Sequence, residues 1–156
     1  MDRSFVKNTL EISHRVEAQK PKIVLEITET SLMKNPEESI NILKRLKSHG
    51  FLIAVDDFGT GYSSLSYLKQ LPLDVIKIDM SFVRNIPQSH IDRSIVSTII
   101  ELSKSLGLKS LAEGVETKEQ LNILVEMGCE LAQGYLFGKP MPKEDIERLI
   151  RKEKGL

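Results

Sequence analysis

Acidic residues recur where the apolar runs of this 156-residue chain come to an end. The run "FLIAV" over residues 51–55 leads directly into two adjacent aspartates, Asp56 and Asp57. Other runs also end in an acid, a lysine or an amide, namely Glu26, Glu29, Lys77, Asp79, Glu113, Glu116 and Gln133. Ligands of α/β barrels and open α/β sheets bind at the carboxyl ends of the strands. These side chains are therefore predicted to share one face.

The residue types at these positions favour one kind of metal. Converging carboxylates repel each other and raise each other's pKa unless a cation compensates their charge. Oxygen ligands without a cysteine cluster or a suitably placed histidine are typical of Mg²⁺ or Mn²⁺ rather than zinc. Two such ions side by side form a clamp for in-line displacement at phosphorus. The residues alone therefore indicate a metal-dependent hydrolase or lyase of a phosphorylated substrate, although each single acid could be a helix cap or solvated surface.

Short apolar runs alternate with amphipathic helical patterns along the chain, which predicts an α/β fold with a parallel sheet covered by helices. Strands are predicted at 22–28, 51–58, 74–79, 108–114 and 130–138. Helices are predicted at 5–18, 35–50, 63–71, 91–107, 117–128 and 142–153. Asn35 is predicted to cap one helix, and Thr117 with Gln120 to form a capping box at another.

The composition limits the class of partner. The 22 basic and 22 acidic residues cancel, so duplex nucleic acid, whose binding depends on phosphate neutralisation, is not predicted as a partner. One cysteine allows neither an internal disulfide nor a cysteine-based zinc site. The N-terminus lacks the apolar core of a signal peptide, and no apolar run approaches the roughly 20 residues that cross a bilayer. We therefore expect a cytoplasmic domain without a membrane segment.

Four segments resemble the EAL-domain cyclic-di-GMP phosphodiesterases. They are "LEITET", "AVDDFGTGYSSLSYLKQLPLDVIKIDMSFV", "LAEGVET" and "QGYLFGKPMP". Their order and spacing match as well, from about Ser4 to the last helix. The resemblance implies a modified TIM barrel whose first strand is antiparallel to the others. It also implies Mg²⁺- or Mn²⁺-dependent hydrolysis of one phosphodiester bond of cyclic-di-GMP, which gives the linear dinucleotide.

The resemblance further implies a role for each of the residues at the strand ends. The implied metal ligands are Glu26, Asp56 and Asp57. The implied catalytic groups are Glu113, as general base, and Lys77, which would orient the attacking water or stabilise charge on the phosphate. The residues that would anchor the following loop and shape the site are Thr28, Glu29, Gly59, Gly61, Asp79, Glu116 and Gln133. The loop over residues 57–64 is also implied as a homodimer contact.

The chain departs from this family in length. A TIM barrel has eight strands in about 250 residues, whereas the 156 residues here contain five predicted strands. The Glu-Ala-Leu segment that names the family is not found, and the nearest match is "EAQ" at 17–19. With it are missing a glutamate and an asparagine that are metal ligands in the family. We therefore expect residues 1–156 to form a partial EAL domain, an incomplete barrel without the three N-terminal strands.

An open barrel would expose two sheet edges and the apolar face that should fill its interior. We therefore predict that the isolated chain is either of low stability or oligomeric, and that it has no measurable phosphodiesterase activity. Three alternatives stay open. The chain is a piece of a longer phosphodiesterase, a non-catalytic module that binds a cyclic dinucleotide or a protein, or an enzyme completed by a second polypeptide.

Overall fold

Five parallel strands form one sheet in which the spatial order follows the order in the chain, β1-β2-β3-β4-β5. The structure is a computed structural model, and it describes residues 6, 8, 9, 11, 23–59 and 65–153. The strands are β1 (Val24–Thr28), β2 (Leu52–Phe58), β3 (Val75–Ile78), β4 (Lys109–Ala112) and β5 (Leu131–Ala132). The predicted α/β class, with about five parallel strands and flanking helices, is confirmed.

Helices connect the strands, as the alternating pattern predicts. They are α1 (Glu29–Met33), α2 (Pro36–Ser48), α3 (Leu65–Leu68), α4 (Met80–Asn85), α5 (His90–Ser105), α6 (Lys118–Met127) and α7 (Lys143–Glu153). Of the helix predicted at 5–18, residues 6, 8, 9 and 11 are helical, and the other positions lie outside the described residues. None of the described helices has the length and apolar character needed to cross a bilayer.

The predicted capping box at the start of α6 is confirmed. Thr117 Oγ1 accepts a hydrogen bond from the Gln120 backbone N–H at 3.2 Å, and Gln120 Oε1 accepts one from the Thr117 N–H at 2.9 Å. The predicted cap at Asn35 is wrong in its contact, although Asn35 does hold the N-cap position. Its amide donates to Glu38 Oε2 at 2.8 Å instead of capping a backbone N–H group.

The last strand is shorter than predicted. It ends at Ala132, and the apolar residues that follow form a turn rather than continuing the sheet. Leu136 N–H donates to the Val115 carbonyl oxygen at 3.0 Å, and Phe137 N–H donates to the Gly134 carbonyl oxygen at 3.1 Å. The backbone groups that a strand would offer to a ladder are thus used by a loop and a turn.

The side chains of β1 alternate between a buried face and an exposed face of the sheet. Leu25 and Ile27 pack against the core, whereas Val24, Glu26 and Thr28 are exposed. Successive side chains of a strand point to opposite faces, so the exposed residues of β1 lie on one face. The covered face and its helices supply the largest fully buried side chains, among them Leu43, Leu46, Ile53, Val55, Ile76, Ile78, Val83, Ile100 and Leu124.

Cys129 lies in the turn between α6 and β5. Its Sγ lies 3.3 Å from the Leu131 carbonyl oxygen and 3.6 Å from Ser110 Oγ, on the neighbouring strand β4. It is partly buried against the core.

Candidate active site

Lys77 lies at the centre of a group of carboxylates. It is in β3, a strand whose four residues are all buried, and its side chain is 4% exposed. Its Nζ lies 2.7 Å from Glu26 Oε2, 2.9 Å from Asp56 Oδ1 and 2.7 Å from Glu113 Oε1. These partners come from β1, from β2 and from the residue after β4. The Lys77 cluster (Lys77, Glu26, Asp56 and Glu113) therefore gathers charges from four adjacent strands.

Burial and ion pairing act in opposite directions on Lys77. Burial alone would lower the pKa of the ammonium, because it removes solvation from the charged form. The hydrogen bonds from Lys77 to Glu113, Glu26 and Asp56 together outweigh burial, so the pKa of Lys77 is raised above the ordinary lysine value. Lys77 is therefore charged at neutral pH and compensates part of the carboxylate charge.

Burial and the neighbouring charges shift the pKa of Glu113. Burial raises the pKa of Glu113, and the charges of Asp56 and Glu26 raise it further, while Lys77 acts against them. The net pKa of Glu113 lies above the ordinary glutamate value. Gln133 Nε2 also donates to Glu113 Oε1, at 2.8 Å. Lys77 and Gln133 thus both contact the same oxygen of the carboxylate.

An irregularity in β2 brings the adjacent aspartates to one place. Side chains alternate between faces in a regular strand, but the pairing of β2 with β3 shifts register between Val55 and Phe58. Asp57 has a φ of 54°, in the left-handed region that few residues other than glycine adopt. Its backbone N–H donates to Asp56 Oδ1 at 3.1 Å. A strand bulge therefore places Asp57 close enough to Asp56 and Lys77 for their charges to interact.

Asp57 carries negative charge that Lys77 compensates only in part. Burial raises the pKa of Asp57, the charges of Asp56 and Asp79 raise it further, and Lys77 lowers it by a smaller amount. A cation beside these aspartates would favour their ionised form. The carboxylates of Glu26, Asp56 and Asp57 are the hard oxygen donors that Mg²⁺ and Mn²⁺ prefer, so the donor chemistry fits such an ion.

The side chains that could hold a metal are arranged around Lys77. Within the described part of the chain, no three acidic, histidine or cysteine side chains stand together as a ready ligand set. Lys77 Nζ lies between the carboxylates of Glu26, Asp56 and Glu113. The assignment of Glu26, Asp56 and Asp57 as metal ligands therefore stays a prediction.

Glu29 contacts the segment that leaves β2. Its side chain is buried, and its Oε2 accepts a hydrogen bond from the Gly59 N–H at 3.3 Å. Gly59 has a φ of 97°, which suits the tight turn expected there. The Thr28 hydroxyl donates to Ser31 Oγ at 2.8 Å, which is a local contact in α1. Gly61 and residues 60–64 of the expected dimer contact lie outside the described residues.

Asp79 and Glu116 lie next to the cluster and do not join it. Asp79 Oδ1 accepts a hydrogen bond from the Ser81 N–H at 2.8 Å and so caps α4. Glu116 has an exposed side chain, and its backbone N–H donates to Gln120 Oε1 at 2.8 Å. Asp79 thus contributes charge near Asp57, while Glu116 lines the cavity described next.

A cavity of about 760 Å³ adjoins the Lys77 cluster through Gln133, which lines the cavity and donates to Glu113 of the cluster. Its size is typical of small-molecule sites. Its lining combines apolar and aromatic groups with a few charged ones, namely Met80, Arg84, Glu116, Gln133, Tyr135, Phe137, Lys139, Ile146 and Leu149. The sequence pattern did not predict this cavity, because residues 130–138 were predicted as a strand. Two aromatic residues in "QGYLFGKPMP", Tyr135 and Phe137, were the available signal, and both are more than half exposed.

Known proteins resemble this chain in sequence and in fold. A family described as EAL domain matches residues 1–140. The cyclic di-GMP phosphodiesterase NbdA of Pseudomonas aeruginosa is 50% identical over 127 residues, which are 81% of this chain and 16% of NbdA. The solved phosphodiesterase PaMucR, a c-di-GMP complex, superposes with a TM-score of 0.81 at 43% identity, over 92% of this chain and 57% of that one.

A third relative was solved with a metal. The manganese and cyclic-di-GMP complex of Klebsiella pneumoniae BlrP1 superposes with a TM-score of 0.76 at 34% identity, over 86% of this chain and 35% of that one. The chain therefore spans about a sixth of NbdA and somewhat more than half of the PaMucR structure.

Proposed function

Because this chain belongs to the EAL domain family, we propose that it carries the substrate site of a metal-dependent cyclic-di-GMP phosphodiesterase, which gives the linear dinucleotide. The observation that carries the proposal is the Lys77 cluster. A buried ammonium, held 2.7–2.9 Å from three carboxylates of neighbouring strands, adjoins a cavity of small-molecule size. Relatives that share this fold and are named cyclic-di-GMP phosphodiesterases support it.

The residues of the cluster divide the chemistry between them. Glu113 takes the proton of the attacking water, and its raised pKa makes it a better proton acceptor than an ordinary glutamate. Lys77 stabilises the negative charge that develops on the phosphate. Gln133 orients the Glu113 carboxylate through its 2.8 Å hydrogen bond.

A divalent cation, Mg²⁺ or Mn²⁺, would be held by Glu26, Asp56 and Asp57. It would supply Lewis-acid polarisation of the phosphate oxygens. The oxygen donors of these residues and the incompletely compensated charge at Asp57 support this assignment.

The cavity suits the base of a nucleotide. The rings of Tyr135 and Phe137 offer surfaces on which a planar base stacks. Arg84 contributes a cation to the same cavity. A base placed there would leave its phosphodiester on the Gln133 side, which is also the side of Glu113.

Three wider expectations belong to the same proposal. The chain forms part of an EAL domain whose Glu-Ala-Leu segment is not included in it. The protein acts in the cytoplasm. Two copies meet through the loop over residues 57–64.

A non-catalytic module that binds a cyclic dinucleotide is the second candidate. One observation favours it: Lys77 Nζ lies between the carboxylates of Glu26, Asp56 and Glu113. An ammonium in that place occupies the position of a cation, so a ligand in the adjoining cavity would bind without a metal.

Calorimetric titration of the purified chain with cyclic-di-GMP separates these candidates. The titration is run with Mg²⁺, with Mn²⁺ and with a chelator, and the linear dinucleotide is assayed in the same samples. The proposal predicts cation-dependent binding that a double variant, Asp56→Asn with Asp57→Asn, loses. Any turnover should disappear in Glu113→Gln and persist in Glu119→Gln, an exposed control on α6.

The possible outcomes differ clearly. Turnover that depends on Glu113 would establish the catalytic site and would refute the expected inactivity of the isolated chain. Cation-independent binding without turnover would favour the second candidate. A folded sample that binds no cyclic-di-GMP would refute both.

A further inference from the structure

Gln120 connects two elements that line the cavity. Its side chain is 5% exposed. Its Oε1 accepts hydrogen bonds from the backbone N–H groups of Glu116 and Thr117, at 2.8 and 2.9 Å. Its Nε2 donates to the Arg84 carbonyl oxygen at 3.3 Å. One buried amide therefore bonds to two segments that are more than thirty residues apart in sequence.

The bond to Arg84 is not required by the capping box. A capping box uses only the side-chain carbonyl of its third residue, which reaches back to the start of the helix. Arg84 lies in the last turn of α4, where carbonyl groups lack partners within the helix. The amide of Gln120 satisfies one of them and so ties the end of α4 to the start of α6.

The segment Glu113–Thr117 contacts α4 at a second point. Gly114 packs on Met80 so closely that a Cβ atom added to Gly114 would lie 2.7 Å from Met80 Cβ. Met80, Arg84, Gly114 and Glu116 all line the cavity. α4 and this segment are thus joined at both ends of their contact.

We propose that Gln120 is a positioning residue for the ligand of the cavity. Its amide fixes α4 against the segment Glu113–Thr117 and so sets the placement of Arg84 relative to Glu116. Gln120 acts through these two residues. The inference rests on the proposed function, because it takes the ligand to be cyclic-di-GMP.

Two variants distinguish the acceptor role of the Gln120 amide from its donor role. Gln120→Glu keeps an oxygen for the Glu116 and Thr117 N–H groups but loses the donor to Arg84. Gln120→Leu loses both. Asn122→Asp is the matched control, since it makes the same amide-to-acid change at an exposed position of α6. Dissociation constants for cyclic-di-GMP are measured by calorimetry, and amide exchange is followed by mass spectrometry on peptides that cover α4 and residues 113–117.

We expect Gln120→Glu to weaken cyclic-di-GMP binding by about 2- to 10-fold, the range for one lost hydrogen bond, and Asn122→Asp to leave it unchanged. Exchange within α4 should be faster in Gln120→Glu, whereas exchange at residues 116 and 117 should rise only in Gln120→Leu. A lower melting temperature with an unchanged dissociation constant would overturn the positioning role.

Failure of the proposed function would look different. If the unsubstituted chain binds no cyclic-di-GMP, that function fails, and hydrogen exchange alone decides on the link between α4 and α6. Unchanged exchange in α4 of Gln120→Glu would then overturn the link itself.

Discussion

The Lys77 ammonium is a single positive charge among several negative ones. Buried ion pairs add little net stability, because desolvation offsets much of the attraction. Removal of one partner is costly, however, since the remaining charges are left uncompensated. Lys77 has three carboxylate partners within 2.9 Å, so its loss leaves Glu26, Asp56 and Glu113 to repel one another.

Lys77→Met should therefore lower the free energy of unfolding by about 3–5 kcal/mol. Urea denaturation of the chain in a chelating buffer measures the loss. Lys69→Met removes an exposed lysine in the same way and should stay within about 0.5 kcal/mol of the unsubstituted chain. Equal stabilities of Lys77→Met and Lys69→Met would mean that the carboxylates are not charged together in the folded state.

At the level of single residues, the sequence predicted which polar side chains come together and not how they are arranged. Glu26, Asp56, Lys77 and Glu113 were expected on one face because parallel strands end at one edge. The position of Asp57 depends on a register shift and a left-handed φ. Both depend on the pairing of β2 with β3, which no local pattern in the chain reports.

Among the elements, α4 and the segment Glu113–Thr117 form the contact that shapes the cavity. Gly114 has a φ of 67° and packs on Met80, while Gly107 has a similar φ of 70° with open space around it. Substitution would therefore strain the backbone at both glycines, but only at Gly114 would the added side chain overlap a neighbouring residue.

Gly107→Ala should lower the free energy of unfolding by about 1–2 kcal/mol, the cost of a side chain in the left-handed region. Gly114→Ala should cost more than that, because its Cβ would overlap Met80, and it should also weaken cyclic-di-GMP binding. Thermal denaturation and calorimetry measure the two effects. Matching losses of stability in both variants, with binding unchanged, would contradict a close contact between Gly114 and α4.

The predictions of helices and strands were correct where the sequence signal lies within a few neighbouring residues. The capping box of α6 needs only Thr117 and Gln120, three residues apart, and the pattern predicted it correctly. The end of β5 depends on hydrogen bonds of Gln133 and Leu136 with the distant Val115, so an apolar run alone extended the strand too far. α1 and α4, of five and six residues, are too short for a helical period to be visible.

For the molecule as a whole, the main consequence of the strand order is a sheet with two open edges. In the part of the chain that the structure describes, β1 and β5 each pair on one side only. Val24 of β1 is 43% exposed and Leu131 of β5 is 37% exposed. Unpaired strand edges with apolar side chains favour pairing with another chain. The low stability or oligomeric state expected from the sequence stays a prediction.

Sedimentation velocity tests it. We expect the chain to sediment as species larger than its 17.6 kDa monomer, in a concentration-dependent way. Val24→Lys with Leu131→Lys should shift the distribution toward the monomer, because charged side chains disfavour edge pairing. Ile91→Lys changes an apolar residue that is 74% exposed on α5, away from the edge strands, and should leave the distribution unchanged. A stable monomer at all concentrations would refute the expectation.

The position of Cys129 matters for chemical labelling. It is the single cysteine of the chain, so a thiol-reactive reagent marks one atom. That thiol lies 3.3 Å from the Leu131 carbonyl oxygen in β5 and beside Ser110 in β4. Separation of β5 from β4 uncovers it, and local opening of an edge can occur without global unfolding. The turn before the edge strand thus contains a reporter, and the rate of thiol modification measures how often that strand detaches.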